Sequence, residues 1–112
     1  MNGNFIEKDL AYVSVMDRGF LFGDGIYEVF PAYNRKIIGL DSHLNRLQDG
    51  LDAISIKNPH SKDEWKNLIN KIISFDSINE NQAVYLQISR GSDKNRKHTY
   101  GELKPTVFIQ SS

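Results

Sequence analysis

Twelve residues, Asp17 to Glu28 (DRGFLFGDGIYE), constrain this chain more than any other stretch. Gly19, Gly23 and Gly25 alternate with bulky side chains instead of clustering as a linker would. Glycine opens backbone angles that other residues avoid. Phe20, Leu21 and Phe22 supply apolar area that needs a dry partner. The pattern predicts a shaped, buried loop that delivers Ile26–Tyr33 into a sheet, with Tyr27 at the strand entrance. A plain turn between two strands is the simpler alternative.

At 112 residues the chain holds one domain and not two. Fourteen basic and fourteen acidic residues cancel, so charge calls for neither nucleic acid nor an anionic membrane as partner. There is no cysteine, which removes disulfides, thiolate chemistry and cysteine-bound metals. No basic segment and apolar run opens the chain as a secretory signal would, and no apolar run approaches the roughly 20 residues that span a bilayer. A cytoplasmic setting is the default expectation.

Along the chain, Asn2-Gly3 is a hairpin-turn signal with only Met1 ahead of it, as if a strand were missing upstream. Phe5, Ile6, Tyr12, Val13 and Val15 read as short strand material. Ile26 to Tyr33 and Arg35 to Leu40 read as a tight antiparallel pair turned through Asn34-Arg35. Pro31 cannot donate to a ladder, which argues for an edge or a bulge. Leu40, Leu44, Leu47, Leu51 and Ile54 then form one stripe of a helix capped by Asp41 or Ser42. Gly50 in its middle suggests close approach of another backbone or a ligand. Ser61 and Glu64 make a capping box for a second helix with Trp65, Leu68, Ile69, Ile72 and Ile73 on its apolar face. Residues 76 to 82 read as a polar loop. Ala83 to Ser89 alternate as a strand, with Val84, Leu86 and Ile88 on one face. A polar, basic loop over 90 to 101 leads to a last strand at Thr106 to Ile109. The predicted fold class is α+β: two layers, an antiparallel sheet with a helix pair on one face.

Chemistry is sparse. Arg96 and His98 sit two apart, so extended backbone would point both to one side, where an arginine fork and a second donor suit a carboxylate. Spacing alone favours a solvated loop whose charges only keep it soluble. Arg46 shares a helix face with His43 and Gly50, and becomes an anion ligand only if that face lines a cleft. His43, His60 and His98 are scattered, so no metal site is expected. There is no nucleophile elbow, Walker loop or dinucleotide fingerprint.

DRGFLFGDGIYE followed by HLNRL resembles the class IV (fold type IV) pyridoxal-phosphate aminotransferases, a family that includes D-amino acid aminotransferase, branched-chain aminotransferase and aminodeoxychorismate lyase. The likeness runs over nearly the whole chain. It implies the small N-terminal domain of such an enzyme, moving an amino group between an amino acid and a 2-oxo acid. It implies that Arg46 grips the phosphate of pyridoxal 5'-phosphate. Arg96-Lys97-His98 resembles the pair that, in D-amino acid aminotransferase, holds the substrate carboxylate together with the tyrosine matching Tyr27. The stretch between Arg90-Gly91 and Arg96 is one residue longer here than in that enzyme. In the family this pair reaches into the neighbouring subunit, which implies a homodimer. The resemblance also implies a second domain carrying the catalytic lysine, since none of the lysines here matches that position. These residues would then hold half a site, with no catalytic residue, no turnover and no cofactor bound by themselves. A branched-chain aminotransferase or aminodeoxychorismate lyase part is the alternative, as is a non-catalytic dimerisation or interaction module.

Overall fold

A computed structural model describes residues 1–75 and 79–112. Four strands form one antiparallel sheet: β1 (Gly25–Tyr33), β2 (Lys36–Ile37), β3 (Gln82–Ser89) and β4 (Thr106–Ser111), in the order β2-β1-β3-β4. Three helices accompany it: α1 (Arg18–Phe22), α2 (Leu40–Ala53) and α3 (Lys62–Phe75). α2 packs on β1, and α3 packs on β3 and β4. The predicted two-layer α+β architecture is therefore the observed one.

Alternation builds the core. Phe30 and Ala32 of β1, Val84, Leu86 and Ile88 of β3, and Val107 of β4 are buried toward the helices. Leu44, Leu47 and Leu51 from α2 meet them, with Trp65, Ile69 and Ile73 from α3. Each of the valine, leucine, isoleucine and phenylalanine side chains contributes roughly 1.5–3 kcal/mol by leaving water. Trp65 donates its Nε1–H to Asn58 Oδ1 at 2.8 Å, so its one polar atom is satisfied. The capping box forms as predicted: Ser61 Oγ accepts from Glu64 N at 3.2 Å, and Glu64 Oε2 accepts from Ser61 N at 2.7 Å.

The β1–β2 turn has φ of 48° at Asn34 and 60° at Arg35, the primed geometry that suits the twist of a hairpin. Pro31 sits where its missing N–H does least harm. β2 stops at Ile37, so beside Pro31 that flank of β1 is locally an edge, and its carbonyl still accepts from Ile38 N at 2.9 Å.

Several expectations are corrected. Phe5, Ile6, Tyr12, Val13 and Val15 form no strand; the segment holds a short 3-10 turn at Lys8–Leu10, and Tyr12 and Val15 are exposed. Asn2-Gly3 does turn, with Asn4 N bonded to Met1 O, but it docks on β4 through Val107 instead of closing a hairpin. The strand predicted over Arg35 to Leu40 shrinks to β2, because Gly39 enters the left-handed region at φ 67° and starts α2 there. Neither Asp41 nor Ser42 caps that helix. The glycine loop is neither wholly a loop nor wholly buried. Asp17 caps a helical turn through Gly19 N, Gly23 ends it, and Phe20 is exposed. The polar loop over 76 to 82 lies partly outside the described residues, and Gln82 already belongs to β3.

Gly50 faces a side chain and not another backbone. A Cβ built there would lie 3.2 Å from Ile26 Cδ1, the far end of a flexible side chain. Alanine gains about 1 kcal/mol of helix propensity, and Ile26 must yield a few tenths of an ångström. Gly50→Ala is expected to change stability by less than about 1 kcal/mol in urea unfolding, whereas Gly50→Val, with two more carbons against Ile26, is expected to destabilise clearly.

Candidate active site

β1 distributes its side chains by parity. Tyr27 points to the face without helices and is 65% exposed, while Glu28 points into the helix layer and is buried. Tyr27 stacks on Tyr85 across the β1–β3 pair, with centroids 5.8 Å apart, and Tyr85 meets Phe108 of β4. Tyr85 donates its hydroxyl to Gln87 Oε1 at 2.8 Å. The open face of the sheet thus carries an aromatic strip. Gly25 lets β1 close on β3 at its end, because a Cβ there would sit 2.5 Å from the Ile88 carbonyl oxygen.

On the helix side, Glu28 gathers the α2 residues. Arg46 donates Nε–H to Oε1 at 2.6 Å and Nη2–H to Oε2 at 2.7 Å, a fork-on-carboxylate pair. His43 Nδ1 lies 2.9 Å from Oε2, one helical turn away on α2. Burial pushes the Glu28 carboxyl up, but the hydrogen bonds and charges of Arg46 and His43 outweigh it and hold it below its ordinary range. Glu28 is therefore ionised near neutrality and acts only as an acceptor, which puts the His43 proton on Nδ1. The Arg46 side chain is itself 69% exposed. Two of its five N–H groups are given to Glu28, and three remain on the outer edge of the fork. That outer edge fits one anionic oxygen group such as a phosphate, presented on a guanidinium already fixed in direction.

The loop after β3 brings Arg96 and His98 together on one ring. The Arg96 guanidinium carbon lies 4.8 Å from the Phe22 centroid, and the His98 ring is 5.3 Å from the same centroid. Beneath the loop is a buried ionic cluster. Asp24 accepts from Arg18 Nε at 2.8 Å and from Arg90 Nε and Nη2 at 2.7 and 3.0 Å. Burial raises the Asp24 carboxyl; Arg90, then Arg18, more than reverse this and leave it below the usual carboxylate range. Asp17 takes a separate role, accepting from Gly19 N at 2.8 Å and from Thr106 Oγ1 at 2.6 Å.

Of the four predicted site residues, Arg96 and His98 both lie against the Phe22 ring. Tyr27 and Arg46 lie on opposite faces of β1, and among the described contacts neither touches the Arg96–His98 pair. His43 and Arg46 share a helix face through Glu28, while Gly50 on the same helix lies against Ile26. Sequence reasoning missed Glu28 as their partner. Its signal was present: an acid at an inward position of the strand alternation, followed by histidine and arginine three apart on the next helix. Among the described residues no three histidine or carboxylate side chains converge as a metal site requires.

Comparison with known proteins matches the Amino-transferase class IV family model to residues 25–112. A D-alanine aminotransferase of Listeria monocytogenes is 38% identical over 98 residues, covering 88% of this chain and 34% of that enzyme. The chain thus spans about a third of the length of the curated relatives it matches. The fold agrees with the branched-chain amino acid aminotransferase of Escherichia coli at a TM-score of 0.89, with 18% identity over 99% of this chain and 38% of that one. It also agrees with a hypothetical aminotransferase of Mycobacterium tuberculosis solved in its PLP-bound form, at a TM-score of 0.80 and 18% identity over 96% of this chain and 36% of that one. With the family model covering most of the sequence, this chain belongs to the class IV aminotransferases.

Proposed function

We propose that these residues form the N-terminal, substrate-facing domain of a pyridoxal-phosphate-dependent aminotransferase that moves an amino group between a D-amino acid and a 2-oxo acid. The observation that carries the reading is the Arg96–His98 pair on Phe22, presented by a loop anchored from below. The identity to a D-alanine aminotransferase supports the substrate class.

In this reading Arg96 takes the substrate carboxylate through its planar fork, and His98 and the Tyr27 hydroxyl add donors that set its orientation. Arg46, held by Glu28, contributes one contact to the cofactor phosphate. Pyridoxal phosphate, when bound, supplies the electron sink for removal of the Cα proton. The lysine that moves that proton is assigned to sequence outside these 112 residues. The enzyme is read as a cytoplasmic homodimer. The family resemblance, in which this pair reaches the neighbouring subunit's site, supports the dimer. Among the described residues no helix is long and apolar enough to cross a membrane.

Arg96→Ala in the complete enzyme tests the assignment. A charged hydrogen-bonded contact is worth about 1.5–3 kcal/mol, so KM for D-alanine is expected to rise roughly 10- to 100-fold, with kcat less affected. An unchanged KM would remove Arg96 from the carboxylate site.

A further inference from the structure

We propose that Arg18 is the positioning residue of the substrate-carboxylate site, clamping the backbone of the loop that carries Arg96 and His98. The proposal rests on the carboxylate reading given above and names a residue that acts through others.

The charges under the loop do not balance among themselves. Two buried guanidiniums, Arg18 with its side chain 6% exposed and Arg90 at 9%, share the single carboxylate of Asp24. A buried cation needs acceptors for its remaining N–H groups. Arg90 finds them in the carbonyls of Ile54 at 2.6 Å and Ser55 at 3.1 Å. Among the described residues Arg18 finds them only in the loop: Nη1 donates to Lys97 O at 2.7 Å and Nη2 to His98 O at 3.1 Å. The Tyr100 ring lies against both guanidiniums, 4.9 Å from Arg18 Cζ and 3.9 Å from Arg90 Cζ. Lifting the loop would therefore strip a buried cation of two acceptors and uncover an aromatic face.

The two carbonyls belong to consecutive residues and converge on one guanidinium. In an extended strand successive carbonyls point to opposite sides. Arg18 thus selects a bent backbone, and the chain does bend at His98. That bend sets the directions in which Arg96 and His98 leave the loop. The ring they share, Phe22, lies on the same helical turn as Arg18, whose guanidinium carbon is 4.6 Å from the Phe22 centroid. Backbone and side chains of the pair are thus referenced to one short element, α1.

The test uses the complete enzyme with Arg18→Lys, Arg18→Ala, Arg96→Ala and the Arg18→Ala/Arg96→Ala double variant. Lysine keeps the buried charge but has no fork to bridge Asp24 and two carbonyls. Arg18→Lys is expected to raise KM for the amino acid roughly tenfold, with kcat within about twofold. The double variant is expected to be no worse than Arg96→Ala, because the clamp has nothing left to position. Hydrogen–deuterium exchange over residues 92 to 100 of the cofactor-free enzyme is expected to quicken roughly tenfold in Arg18→Lys. Unchanged exchange, or losses that simply add in the double variant, would overturn the clamp. Where Arg18→Ala does not fold, Arg18→Lys/Arg96→Ala replaces the double variant. If Arg96→Ala alone leaves KM unchanged, the carboxylate reading falls, and the exchange rates still decide whether Arg18 holds the loop.

Discussion

Gly91→Ala is expected to leave little or no folded protein. Gly91 follows β3 with φ at 105°, a region that side chains rarely enter. A Cβ there would lie 2.0 Å from the carbonyl oxygen of Lys104 and 3.0 Å from its carbon. Both are backbone atoms, so no rotamer change relieves the overlap, and the chain just after β3 must part from the chain just ahead of β4. Parting them breaks the bonds from Arg18 N to Gly91 O at 2.9 Å and from Gly91 N to Ser89 Oγ at 3.2 Å. Strain and lost contacts together come to on the order of 4 kcal/mol or more, comparable with the whole stability of a small domain. Urea unfolding monitored by Trp65 fluorescence measures it. A variant as stable as the wild type would show that Gly91 and Lys104 do not pass this closely.

The second large effect lies at Asp24. Asp24→Asn is expected to cost on the order of 3 kcal/mol at neutral pH, because two buried guanidiniums lose their counter-charge. The size of the loss should depend on pH. The folded-state pKa of Asp24 lies below its unfolded value of about 3.9. Its stabilisation is therefore in place above that unfolded value and fades as pH falls through the lower folded one. The gap between wild type and variant should be widest above about pH 5 and close toward pH 2. Glu28 adds an acid limb of the same sign, so the difference curve, and not the wild-type curve alone, isolates Asp24. A gap that stayed constant from pH 7 to 2 would mean that the cluster does not depend on the ionised carboxylate.

What the sequence made legible follows from range. The stripe from Leu44 to Leu51, the Ser61–Glu64 box and the alternation of Val84, Leu86 and Ile88 are local patterns, and each became the element it described. Phe5 to Val15 has strand-forming residues without a ladder to join, and propensity without a partner does not make a strand. Asp17 and Gly23 were a helix cap and a helix stop in plain view; the glycine spacing drew attention away from them. The Arg18–Asp24–Arg90 cluster joins positions 66 residues apart in the chain, and no periodicity announces such a meeting. The candidate site divides the same way. Arg96 and His98 were found as a pair because they are neighbours. The partner of Arg46 was missed because it sits on a strand eighteen residues earlier.

The parity of β1 has a consequence for how this family's chains can vary. Tyr27 and Glu28 are adjacent, yet one addresses the aromatic face of the sheet and the other the helix layer. A single-residue insertion or deletion between Glu28 and Phe30, with the rest of β1 kept in register on β3, would exchange their faces. The carboxylate would be stranded among Tyr85 and Phe108, and the phenol ring pressed toward His43 and Arg46. A length change inside β1 that keeps both residues on their faces must therefore come in steps of two, whereas one ahead of Gly25, in the helical turn or its end, leaves them where they are.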